Sequence, residues 1–197
     1  MNVQVPLLAM ALTIGACSSS PADHGQGQTA ATTMRAFQGA GPAKAVEIPN
    51  FTILSDQVAG GGYIGADQVA ELPEKGYTTI INLRYPDDRG VAEEAAAAQE
   101  AGIAYYNFPV SGGSFTLETA DAIRKVIAEQ NGHVLLHCSS GGRVSAVWAL
   151  VRALDEGLPP EEAARVSNEE GCRPIPQSMQ DRVRDQARSG IPLPNAE

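Results

Sequence analysis

The chain has 197 residues, 43% of them hydrophobic and 19% charged, which is enough apolar content to bury a core and too much for a disordered chain. Its formal charge of −9, from 14 Lys and Arg against 23 Asp and Glu, argues against nucleic acid or an anionic membrane face as the main partner. Three cysteines are too few for a disulfide scaffold, and no apolar run reaches the roughly 18 residues of a membrane-spanning helix.

Residues 1–16 are mostly apolar, too short to cross a bilayer but fitting the core of a signal peptide. They end in Ile14-Gly15-Ala16-Cys17, which resembles a bacterial lipoprotein signal. That resemblance implies cleavage before Cys17 and a lipid on its sulfur. Met1–Val5 departs from the pattern in carrying no Lys or Arg. Ser18, where an inner-membrane retention signal would place Asp, implies a protein anchored by its lipid on the periplasmic side of the envelope, at the outer membrane. Residues 17–45 are rich in Ser, Thr, Gln, Gly and Ala and read as a tether, because so little apolar surface cannot offset chain entropy. The folded domain is expected over 46–197.

Within it, Tyr77–Leu83 reads as a buried strand, followed by the turn Tyr85-Pro86-Asp87-Asp88 and an Ala/Glu-rich helix over Val91–Ala101 stopped by Gly102. Ile103–Val110 is the next strand. Residues 116–131 place Leu117, Ala120, Ile123 and Ile127 at helical spacing, with Thr116 as N-cap and Gly132 as the residue beyond the C-terminus. His133–His137 is a short apolar run typical of a central parallel strand. Val144–Leu154 is a helix with a buried stripe that includes Trp148, and two more helices are expected at Pro160–Ser167 and Ile175–Arg188. Strands alternating with helices imply an α/β fold, a central, mostly parallel sheet flanked by helices.

The informative segment runs from the end of that central strand into the helix: His137-Cys138-Ser139-Ser140-Gly141-Gly142-Arg143. Small residues let successive N–H groups turn toward one point, and the helix N-terminus adds about half a positive charge there. Arg143 can hold an oxyanion through two parallel hydrogen bonds, and the same field favours the thiolate form of Cys138. A nucleophilic sulfur in an oxyanion cradle suits attack on a phosphate ester or carriage of a sulfane sulfur. Ser139, Ser140, Gly141 and Gly142 are the candidate phosphate-binding residues.

On these residues, together with Gly61-Gly62, Ile80–Asp88 and Ala104–Gly112, the chain resembles the dual-specificity-like cysteine phosphatases, in the beta-lactamase hydrolase-like branch. The resemblance implies a cysteine-phosphatase-like fold, with Cys138 as nucleophile, Arg143 as phosphate clamp and His137 as a buttress for the loop. It implies hydrolysis of a phosphate monoester through a phosphocysteine, with no cofactor and no metal. The substrate would be a phosphoprotein or a phosphorylated small molecule, and the chain is read as a monomer.

Three features depart from the larger tyrosine phosphatase pattern. Four residues, not five, separate Cys138 from Arg143; the beta-lactamase hydrolase-like branch shares this spacing, and so do many rhodanese sulfurtransferases. Val144 stands where a hydroxyl is usual, with Ser145 one position later. The stretch Phe108–Gly113, where a general acid is expected, has no carboxylate. Asp87 is therefore the candidate acid, with Asp88 beside it and Asp121 weaker. A sulfurtransferase and a non-catalytic anion-binding module are the rival readings. Cys172 could resolve an oxidised Cys138 or be inert. Arg84 could face the site or pair with Asp87 or Asp88. Glu93-Glu94 and Glu161-Glu162 read as solvated helix faces, and His24 and His133 lack metal-ligand spacing.

Overall fold

The computed structural model describes residue 41 and residues 43–190; the segment 1–16, Cys17 and most of the tether 17–45 lie outside the described residues. The β-rich run Tyr77–Asn82 (β3) and the apolar run His133–His137 (β5) lie side by side and parallel at the centre of a five-stranded sheet. Ala104–Asn107 (β4) extends the sheet beyond β3, and Val58–Gly61 (β2) extends it beyond β5, both parallel. Thr52–Ile53 (β1) closes the β2 edge antiparallel, giving the order β1-β2-β5-β3-β4 and a mixed sheet. Gly61, His137, Asn82 and Asn107 are in register, so four parallel strands deliver their C-terminal ends to one edge.

All five residues of β5 are buried, because helices cover both faces. Side chains alternate across the sheet. Val134, Leu136 and Cys138 point into the larger core, with Ile123 and Ile127 of Leu117–Glu129 (α3) and Val147 and Leu150 of Gly142–Glu156 (α4). Val166 of Pro160–Glu169 (α5) and Val183 of Gln177–Gly190 (α6) complete it. Leu135 points to the other face, against Val69 of Ala66–Ala70 (α1) and Ala98 of Val91–Glu100 (α2). Trp148 is core, as its place on the stripe of α4 predicts.

Two local expectations are corrected. The strand expected over Ile103–Val110 ends at Asn107, because Pro109 has no N–H to continue a ladder. Phe108 and Val110 instead donate to Asn82 O (2.9 Å) and Leu83 O (3.2 Å), drawing this loop over the end of β3. Thr116 caps α3 as expected, its hydroxyl accepting from Thr119 N (3.2 Å), but Gly132 is not a left-handed C-terminal stop. The helix ends at Gln130 in extended geometry, and Gly132 is small because a Cβ there would collide with the Thr78 side chain.

The glycines of β2 admit a neighbour in the same way. A Cβ on Gly60 would stand 2.5 Å from Cys172 Sγ, 2.7 Å from Leu54 Cδ1 and 2.9 Å from Val144 Cγ1. Gly60→Ala is expected to cost about 1–3 kcal/mol by overpacking, read as a lower urea midpoint at unchanged slope.

Candidate active site

The edge where the parallel strands end carries the segment that follows β2 and the loops after β3, β4 and β5, the usual site of ligand binding in open α/β sheets. Cys138 leaves β5 buried, its N–H bonded to Gly61 O (3.3 Å). The chain then turns through Gly141 at φ +86° into α4. Gly141 N–H donates to Cys138 Sγ at 3.1 Å. The amides of Ser139, Ser140, Gly142 and Arg143 donate to none of the described residues, and Ser139 and Ser140 are exposed. Four unpaired donors at the N-terminus of a 15-residue helix make a ready anion site.

Arg143 is held across this loop. Its Nη1 donates to Leu83 O and Val110 O, both at 2.9 Å, and its Nη2 donates to Ser139 Oγ at 2.8 Å. One guanidinium thus joins the ends of β3 and β4 to the cysteine loop. The structure therefore brings Cys138, Ser139, Ser140, Gly141, Gly142 and Arg143 together as one unit.

Behind the loop lies a polar network that sequence reading did not find. His137, on the opposite face from Cys138, sits with Nε2 at 2.7 Å from Glu94 Oε1. Asn82 Nδ2 donates to the same carboxylate oxygen (3.1 Å), and the Arg84 Nη1 lies 3.9 Å from Glu94 Oε2. Glu94 and His137 are fully buried and Arg84 is 5% exposed. The expectation that Glu94 lies on a solvated helix face is thus wrong: α2 turns Glu94 inward, where His137, Asn82 and Arg84 surround its carboxylate. Its sequence neighbours Ala95 to Ala98 gave no hint of which face is buried, because alanine suits either. Glu161 and Glu162 do lie on the surface, paired with Arg184 and Arg165.

Arg84 does not point its charge into the site. Its Nη2 donates to Arg89 O (2.5 Å), its Nε lies 3.6 Å from Asp88 Oδ2, and its guanidinium covers the Tyr63 ring at 5.2 Å. Asp88 also accepts from Tyr85 N (3.3 Å), whereas Asp87 is exposed and unpaired among the described residues. Asp121 is engaged: Lys125 Nζ stands 2.7 Å and Arg124 Nη2 2.6 Å away, and these hydrogen bonds hold its carboxyl below the usual range. Ser145 does not supply a hydroxyl to the cradle. It is fully buried, donates within reach of Gly141 O (3.1 Å) and Arg173 O (2.9 Å), and accepts from Arg173 N (3.2 Å). Val144 is buried core.

Cys172 packs behind Gly141, where a Cβ would lie 2.8 Å from Cys172 Cβ. Burial first, and then the nearby Cys138, push its thiol up to about 12. Among the described residues no group of three or more His, Cys, Asp or Glu is placed to hold a metal ion.

Residues 50–155 match the family model of the beta-lactamase hydrolase-like protein, phosphatase-like domain. The chain belongs to this family. It is 34% identical over 122 residues to the beta-lactamase hydrolase-like protein of Xylella fastidiosa, a match covering 60% of this chain and 28% of that one. The chain thus spans little more than a quarter of that relative's length. Its fold is that of the cysteine phosphatases. A putative phosphatase of Shewanella putrefaciens superposes with a TM-score of 0.59 at 19% identity, covering 74% of this chain and 95% of that one. Pseudomonas aeruginosa TpbA gives 0.56 at 18% identity over 78% and 91%.

Two outcomes follow for this site. Glu94→Ala leaves Arg84 buried without its counter-charge and His137 without its hydrogen-bond partner, and is expected to cost about 3–5 kcal/mol in urea unfolding, with Glu94→Gln costing less. Cys172 contributes stability that is fully present below 9.0, the ordinary thiol value, and is lost as pH rises toward about 12. Wild type should therefore lose stability more steeply over that window than Cys172→Ala does.

Proposed function

We propose that this domain hydrolyses a phosphate monoester with Cys138 as nucleophile. The observation that carries the reading is the cysteine loop itself: the Gly141 amide on the sulfur, the unpaired amides of Ser139, Ser140, Gly142 and Arg143 beside it, and a guanidinium fastened to two other loops. The equatorial oxygens of the phosphoryl group take the hydrogen bonds of the loop amides and of the remaining Arg143 donors. The Cys138 sulfur attacks phosphorus as the P–O bond to the leaving group breaks. Asp87 gives the departing oxygen its proton. Water then attacks phosphorus, the S–P bond breaks, inorganic phosphate leaves and the sulfur is restored. Preorganised donors aimed at the charge of the transition state do most of the work, as in other phosphoryl transfers.

The substrate is an ester with a good leaving group, such as an aryl phosphate. The loop over 108–113 has no carboxylate, and Asp87 sits on an exposed turn, so protonation of a poor alkoxide leaving group is weakly served. We place the domain on the periplasmic side of the envelope, carried by a lipid on Cys17.

One observation favours a second reading, an anion-binding module without turnover: Ser145 is committed to Arg173, and Val144 offers no hydroxyl to help the sulfur leave. Both readings are separated by assaying phosphate release from p-nitrophenyl phosphate. Cys138→Ser is expected to abolish release and Arg143→Ala to lower kcat/KM by about 10²–10⁴-fold, while Asp87→Asn lowers kcat by less than about tenfold on this activated ester and by more on an alkyl phosphate. No release by wild type, with phosphate still bound, would establish the second reading. Thiocyanate formation from thiosulfate and cyanide would instead mark a sulfurtransferase.

A further inference from the structure

Among the described residues Asn50 is the only non-glycine with positive φ, at 55°. Asparagine enters this left-handed region more readily than other side chains, so the position is selective without being prohibitive. The turn that holds it is fixed to the end of β2, with Gly62 N–H donating to Pro49 O (2.7 Å) and the Thr52 hydroxyl to Asn50 O (3.4 Å). From there Asn50 Nδ2 donates to Ser140 O at 3.0 Å.

Ser140 O and Gly141 N belong to one peptide unit, and no described peptide is cis. In a trans peptide the C=O and N–H point in opposite directions. The N–H end of this unit is the one that donates to Cys138 Sγ at 3.1 Å. A hydrogen bond at the carbonyl end therefore aims the amide at the sulfur. The unit needs such a hold, because Gly141 follows it and glycine offers little steric resistance to a peptide flip. A flipped unit would turn a carbonyl oxygen toward the sulfur and withdraw a donor from the cradle.

We propose that Asn50 is a positioning residue for Cys138, acting through the Ser140–Gly141 peptide. The proposal deepens the phosphatase reading and rests on Cys138 being its nucleophile, but the link is read without any substrate. Asn50→Gly keeps the left-handed turn at no steric cost and removes only the side-chain donor. Asn50→Asp keeps the shape and replaces the donor by an acceptor.

The test is the pH profile of Cys138 alkylation by iodoacetamide in the full chain, followed by peptide mass spectrometry, with melting temperatures measured alongside. The charged and titratable groups around the loop are Arg143 of α4, Cys172 and Arg173 from the α5–α6 connection and the Glu94–His137 pair behind β5; Asn50→Gly leaves all of them unchanged, whereas Asn50→Asp adds a carboxylate, so Asn50→Gly is the deciding variant. Asn50→Gly should slow Cys138 alkylation at neutral pH by about tenfold, the effect of misaiming one hydrogen bond to the reacting sulfur, and Asn50→Asp should slow it at least as much. Asn50→Gly should melt no lower than wild type. A wild-type profile in folded Asn50→Gly would overturn the proposal. Slowed alkylation in a protein that releases no phosphate would keep the Asn50 link and discard the phosphatase reading.

Discussion

Arg143 holds the site together before any ligand arrives. Its Nη1 takes two backbone carbonyls, Leu83 O and Val110 O, which close the ends of β3 and β4. Its Nη2 takes Ser139 Oγ inside the cysteine loop. Three loops that share only a sheet edge are therefore tied by a single planar group whose geometry suits forked hydrogen bonding. A guanidinium held this way loses little further freedom when an oxyanion reaches its remaining donors, which is the basis of preorganised electrostatic stabilisation.

The cysteine loop is braced from both faces of the sheet. On one, His137, Glu94, Asn82 and Arg84 form a buried polar cluster that fixes the end of β5 against α2 and the β3–α2 turn. On the other, Ser145 secures the 171–173 connection, and Cys172 fills the space left by Gly60 and Gly141. A hydroxyl after Arg143 thus has a scaffold duty here. Under the proposed phosphatase reading, the domain combines a well-braced loop of amide donors with few carboxylates at the same sheet edge. That combination favours chemistry in which the leaving group needs little help.

Much of this was legible in the sequence, for identifiable reasons. The apolar run His133–His137 has the pattern of a strand buried on both faces, as it is, and the small residues between it and an apolar helix pointed to a loop of turned amides. Thr116 announced its helix by side-chain chemistry. Other parts were silent. β1 has two residues and β2 carries Gly60 and Gly61, so neither shows the β-branched alternation that marks a strand. Glu94 looked solvated because charge at a helix start is ordinarily exposed, and only a buried His137 and Arg84 from distant positions make its burial tolerable. Asn50 and Ser145 act through backbone groups, and a side chain that bonds a remote carbonyl leaves no spacing pattern. The four-residue gap between Cys138 and Arg143 left phosphatase and sulfurtransferase open; the match over residues 50–155 assigns the chain to a phosphatase-like family.

The central claim is that Cys138 itself receives the phosphoryl group. Rapid acid quench of wild-type protein during turnover of an aryl phosphate, followed by peptide mass spectrometry, tests this directly. The account predicts a phosphoryl adduct on the peptide containing Cys138, formed within the first turnover and decaying as substrate is exhausted. Phosphate release with no adduct on Cys138 at any time, or an adduct on another residue, would contradict it.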